Sequence, residues 1–179
     1  AAAAEHPAKE QAPLVVRHFP EYSPKARFWA LRLLANIDDG DSVLAILRQH
    51  TAACADVDLS LALGPMVPDG IASLFPGILD HLRNERLGIS VAYLAFEAVS
   101  QGSVPASTLT ASSEPLLALY RREREILVAQ QRTEGHHWMW DERYVEPRDH
   151  AGLLLDLFGY VPAPPIRQEL ARAMTEYTD

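Results

Sequence analysis

Apolar residues recur three and four positions apart along most of the chain, and no stretch alternates with the period of two expected of a half-buried strand. The pattern is clearest after Ser23, which can cap a helix whose first position is Pro24. Ala26, Ala30, Leu33, Leu34 and Ile37 then share one face of that helix. Asp39-Gly40-Asp41-Ser42 breaks it and caps a second helix, with Val43, Leu44 and Leu47 as its stripe. Two helices this short cannot bury their apolar faces alone, so the pair implies stacked neighbours.

The rest of the pattern extends this picture. A short helix is expected from Pro13, carrying Leu14, Val15 and Phe19 and ending before Pro20. Ala52 to Leu63 reads as one helix closed by Gly64-Pro65. Asp69 caps a run in which Ile71, Leu74, Phe75, Ile78, Leu79 and Leu82 keep one phase across Pro76, which predicts a kinked helix. Leu87 to Val99 and Glu114 to Arg132 follow as helices, separated by a Ser-, Thr-, Gly- and Pro-rich stretch, Gln101 to Ser113, expected to be a long loop. After an irregular aromatic stretch, two last helices begin at Pro147 (Ala151, Leu154, Leu155, Phe158) and Pro165 (Ile166, Leu170, Met174, Tyr177). The expected fold is all-α, a stack of antiparallel helical hairpins with no sheet. It forms one domain over residues 7–179 with an irregular, loop-rich insertion around 101–142. Residues 1–6 are set aside as a disordered or artificial N-terminus. The Ala1–Ala4 run fits a processed end, a trimmed chain or unassigned residues entered as alanine.

Pro24-Lys-Ala-Arg27-Phe-Trp-Ala30-Leu31, the break at 38–41, and Val43-Leu-Ala-Ile-Leu47 together resemble one unit of the HEAT-repeat family. Units of that family place a Pro, a small residue, an Arg, an Ala and a Leu within a helical hairpin of about 40–47 residues, so about four would fit here. The match is best over residues 20–50. Leu87 to Val99 has the apolar spacing without the Pro and Arg, residues 147–178 have two helices without the Arg, and 101–142 departs altogether. The resemblance implies an α-solenoid whose concave face binds a partner, with Pro24, Arg27 and Ala30 as repeat positions and Arg27 bonded to a neighbouring unit. It also leaves the chain readable as a piece of a longer array, since Glu176-Tyr177-Thr178 echoes the Glu21-Tyr22-Ser23 that precedes a unit. HEAT-like enzymes, namely glycosylases that excise alkylated DNA bases and lyases that attach bilin chromophores, are the alternative it implies.

Charge narrows the partners. With 24 acidic against 16 basic residues, the net charge is −8. Such a chain disfavours phosphate backbones and anionic membrane faces, and suits a protein with a basic surface. No apolar run approaches the roughly 20 residues that span a bilayer, and Leu59 to Val67 is broken by Gly64 and Pro65. Cys54 is the one cysteine, which excludes an intrachain disulfide and reads as a small core residue. It suits the cytoplasm, with export after signal cleavage left open. The preference for Arg over Lys, which occurs only at positions 9 and 25, is that of a GC-rich bacterial genome.

The aromatic stretch carries the sharpest chemical candidates. His136, His137 and Asp141, with Glu142 and His150 nearby, are ligand types for zinc or iron, but no His-Glu-x-x-His spacing is present, so no metal site is expected. Trp138 and Trp140, beside His137, Arg143 and Arg148, have the composition of an interface anchor. Arg121, Arg122 and Arg124 interleave with Glu123 and Glu125, which predicts a solvated helix face with local ion pairs. Glu97 and Asp156 read as water-facing helix edges. With no phosphate loop or nucleophile elbow, no catalytic residue and no cofactor are expected. The functional expectation is a protein-binding module, in its narrower form an acidic inhibitor of the immunity-protein kind.

Overall fold

The computed structural model describes residues 7–64, 68–134 and 145–176, without the side chains of residues 7, 8, 68–71, 131, 133, 134, 145–149 and 176. Among the described residues every regular element is a helix and there is no strand. The chain divides into two compact units, Ala1–Val104 and Pro105–Asp179. The division falls inside the Ser-, Thr- and Pro-rich stretch, where few apolar residues are available to tie the chain to either side.

Among its described residues the first unit has seven α-helices. Helix α1 (Pro7–His18) starts well before Pro13, which sits inside it. A 3-10 turn, Phe19–Glu21, then buries Phe19. In α2 (Pro24–Asn36), the Ser23 hydroxyl accepts the Ala26 N–H at 3.3 Å, as its position predicts. The buried face is Leu31, Leu34 and Ala35, and this corrects the stripe read from sequence, because Ala26 and Leu33 point outward. The helix is apolar on two sides, and the side that packs is the one facing α3 (Gly40–Gln49) and α5 (Leu59–Leu63).

The link from α2 to α3 needs only a few residues. Asp38 adopts a left-handed φ of 53°, its N–H bonding to the Ala35 carbonyl at 3.2 Å and that of Asp39 to Leu34 at 2.9 Å. This pair of bonds ends α2 in the manner of a Schellman motif. Asp39 then begins α3, its carboxylate accepting the Ser42 N–H at 3.2 Å and hydroxyl at 2.8 Å. At the start of α3, Gly40 leaves room for Leu74 of α6 (Pro68–Leu79), whose side chain would lie 2.2 Å from any Cβ there.

Ala52 to Leu63 is not one helix. It divides into α4 (Thr51–Cys54) and α5, because the Asp58 carboxylate accepts the Leu61 N–H at 3.1 Å and starts a new helix. Helix α6 runs through Pro76 and passes into a 3-10 turn, Asp80–Arg83. Asn84 then accepts the N–H groups of Arg86 and Leu87, both at 3.0 Å, ahead of α7 (Gly88–Ser100). Phe75, Ile78, Leu82, Val91, Leu94 and Ala95 join Leu34, Ile46, Leu47, Leu59 and Leu63 in the buried core. Cys54 is fully buried in it, and that burial pushes its thiol up to about 12 against the partial opposing pull of the Arg27 charge.

The second unit begins with a 3-10 segment, Ala106–Ser112, inside the stretch expected to be a loop. It buries Leu109 and leads straight into α8 (Ser113–Glu134). Helices α9 (Val145–Phe158) and α10 (Pro164–Glu176) both pack on α8 and on each other. Tyr120 and Phe158 meet edge-on, 5.4 Å between ring centres, among Leu116, Leu154, Leu157 and Ile166. Two predicted stripes are corrected. In α9 Leu153 and Leu157 are buried while Leu155 is half-buried, and in α10 the inward positions are Ile166, Glu169 and Ala173 while Met174 is 64% exposed. The α10 stripe is displaced by one residue, with Glu169 rather than Leu170 turned inward and its carboxylate 3.6 Å from Arg121 of α8. Tyr177 lies outside the described residues.

Candidate interaction surfaces

Most of the residues singled out from sequence fall where nothing is described. His136, His137, Trp138, Trp140, Asp141, Glu142 and Arg143 lie outside the described residues, and Arg148 lies on α9 without a described side chain. Glu97 is half-buried and Asp156 exposed.

Arg27 lies partly buried on α2, its guanidinium donating to the Pro20 carbonyl at 2.7 Å and to the Ala53 carbonyl at 3.3 Å. One side chain thus ties α2 to the turn before it and to α4. Pro24 opens the helix, exposed, and Ala30 is half-buried on it.

On the outward side of α2, Trp29 is 57% exposed and Leu33 43% exposed. Residues four apart on a helix lie one above the other. The Phe28 ring meets that of Trp29 edge-on at 5.2 Å, which steadies the exposed indole. Between them in sequence, Arg32 donates to the Leu61 carbonyl of α5, and Leu61 is itself 59% exposed. Trp29 and Leu33 on α2 and Leu61 on α5 are thus exposed on two helices that pack together, with Arg32 bonded across to α5. The sequence signal for this patch was present: Trp29 and Leu33 recur at helical spacing off the stripe that carries Leu31, Leu34 and Ala35.

In the second unit, adjacent α8 residues reach two other helices. Glu123, predicted to be solvated, is buried instead. Arg122 donates to its Oε1 through Nε at 3.0 Å and Nη2 at 2.7 Å, and His150 of α9 donates through Nδ1 to Oε2 at 3.0 Å. Burial alone would raise the Glu123 pKa, but these hydrogen bonds and charges outweigh it and hold the carboxyl below its ordinary value. Glu169 of α10 is likewise buried, bonded to Arg172 and paired at 3.6 Å with Arg121 of α8. Burial again raises and the arginines lower, with a net fall. Along the same helix runs an open groove of about 480 Å³ lined by Arg121, Arg124, Glu125, Val128, Ala129 and Arg132.

Among the described residues no group of three or more His, Cys, Asp or Glu is placed to hold a metal ion, and no helix is long and apolar enough to cross a membrane. No known protein family, no curated protein and no solved structure matches the chain.

Proposed function

We propose that this chain is a protein-interaction module of HEAT-like helical hairpins whose binding face in the first unit centres on Trp29. One observation carries the reading: an indole more than half exposed, with exposed Leu33 one turn along the same helix and Arg32 bonding across to α5, which exposes Leu61. Trp, Arg and neighbouring apolar surface are the composition of interface centres, where a few residues supply most of the binding energy. The Phe28 contact and the Arg32 bond support it further, since side chains ordered before binding lose less freedom on association. The bond of Arg27 to both neighbouring segments supports the HEAT-like reading of the α2–α3 pair. The net charge of −8 points to a partner with a basic surface, as for an acidic inhibitor, and the lone buried thiol suits the cytoplasm.

The test is affinity capture from lysate of the source organism, with the full chain and a Trp29→Ala/Leu33→Ala variant, at low and high salt. The full chain is expected to retain a stoichiometric protein that salt releases, and the variant to lose it while its circular dichroism is unchanged. Equal retention by the variant would remove this face from the binding site, and salt-independent retention would remove the basic partner.

A further inference from the structure

We propose that His81 is an acid-sensitive latch: taking up a proton there releases the turn Asp80–Arg83 from the core of the first unit. That turn joins α6 to α7 and packs on both. Its Leu82 is 1% exposed, so the turn cannot move far without drawing a leucine out of the core. Next to it, the Nε2 atom of His81 is closed to solvent and has no hydrogen-bond partner. An imidazolium carries an N–H on both nitrogens. Protonation therefore leaves a charged donor at Nε2 with no acceptor, which is costly in a place water does not reach.

The surrounding charges leave that cost in place. Arg48 of α3 lays its guanidinium over Gly77, four residues before His81, with Nη2 3.4 Å from where a Cβ on that glycine would sit. Burial holds the His81 pKa below its ordinary 6.5, the Asp80 carboxylate beside it pulls the other way, and Arg48 adds to the fall. Arg83, on the same turn, is exposed. Of the helices packed on the turn, α6 has its one charged residue, Asp69, at the far end, and α7 has Glu97 in its last turn. Opening the turn hydrates the ring and restores its ordinary affinity for a proton. The closed turn thus binds fewer protons than the open one, and opening is favoured as pH falls from 6.5 toward the lowered value. The latch is shut at neutral pH and gives way in mild acid.

The experiment is NMR on the full chain as pH is lowered from neutrality. It follows the His81 ring and the exchange of the Asn84 amide, whose N–H the His81 carbonyl accepts at 3.0 Å. His81 is expected to titrate below 6.5. Protection of Asn84, corrected for the intrinsic pH dependence of exchange, is expected to fall by up to about tenfold per pH unit, the limit for one proton taken up on opening. In His81→Gln, which cannot take up that proton, this fall should vanish, and in Arg48→Gln the His81 titration should move upward. A wild-type His81 that titrates at or above 6.5, or an Asn84 amide whose protection does not change below that pH, would overturn the latch. So would the same loss of protection in His81→Gln, which would assign the opening to carboxylates.

Discussion

Asp38 and Gly102 hold the same left-handed backbone with opposite chemistry. Gly102, at φ 74°, follows α7 with nothing near its missing side chain, so an alanine there meets only conformational strain. Asp38, at φ 53°, carries that strain already. A left-handed residue with a Cβ costs about 1–2 kcal/mol, while a new glycine frees the unfolded chain by about 0.4–1 kcal/mol. Asp38→Gly is therefore expected to stabilise the protein by about 0.5–1 kcal/mol in urea melts, and Gly102→Ala to destabilise it by a similar amount or more. A loss of stability in Asp38→Gly would mean that its side chain contributes something beyond the turn. Single residues also account for the places where pattern reading went astray. Asp58 divides a stretch of uniform apolarity into two helices because its carboxylate offers the backbone a better partner than helix continuation. The Asp58 cap is legible in the sequence, but the Ala- and Leu-rich periodicity on either side of it is continuous and does not show where one helix ends.

At the scale of elements, the second unit is held by two carboxylates buried between arginines and a histidine. A carboxyl whose folded pKa lies below its ordinary 4.5 adds stability that is complete above that value and is lost as pH falls through the lowered one. The Glu123 pairing with His150 and Arg122 joins α9 to α8, and hydrogen bonds to charged groups contribute about 1.5–3 kcal/mol each. Glu123→Gln is expected to cost about 2 kcal/mol at neutral pH. The gap from wild type should then close as pH drops below 4.5, read from urea melts across pH 3–7. A gap that stays constant would assign the loss to packing instead. The alternation of Arg and Glu from 121 to 125 suggests surface ion pairs, and nothing in that alternation distinguishes a carboxylate in water from one clasped by another helix. Only the approach of α9 and α10 selects Glu123 and Glu169 for burial. The same limit holds for α10, where Leu170 and Met174 have the apolar spacing but Glu169 and Ala173 are the residues turned inward.

At the scale of the whole molecule, each unit has its own buried residues: Phe75, Ile78 and Leu47 in the first, Tyr120, Phe158 and Leu154 in the second. Residues 1–104 expressed alone are therefore expected to keep their helicity and melt cooperatively. A non-cooperative or absent transition would show that this core is incomplete without the second unit. The helical class, the first-turn proline and serine cap of α2 and the start of α3 at Asp39 were all determined by the sequence alone, because caps and 3.6-residue periodicity act within a few residues of the chain. The faces that α2, α9 and α10 bury were decided only by the tertiary structure, as were the exposure of Trp29 and the clasp of Glu123. Each depends on which of two competing helix faces meets a neighbour brought from a distant part of the chain, and local pattern carries no record of that neighbour.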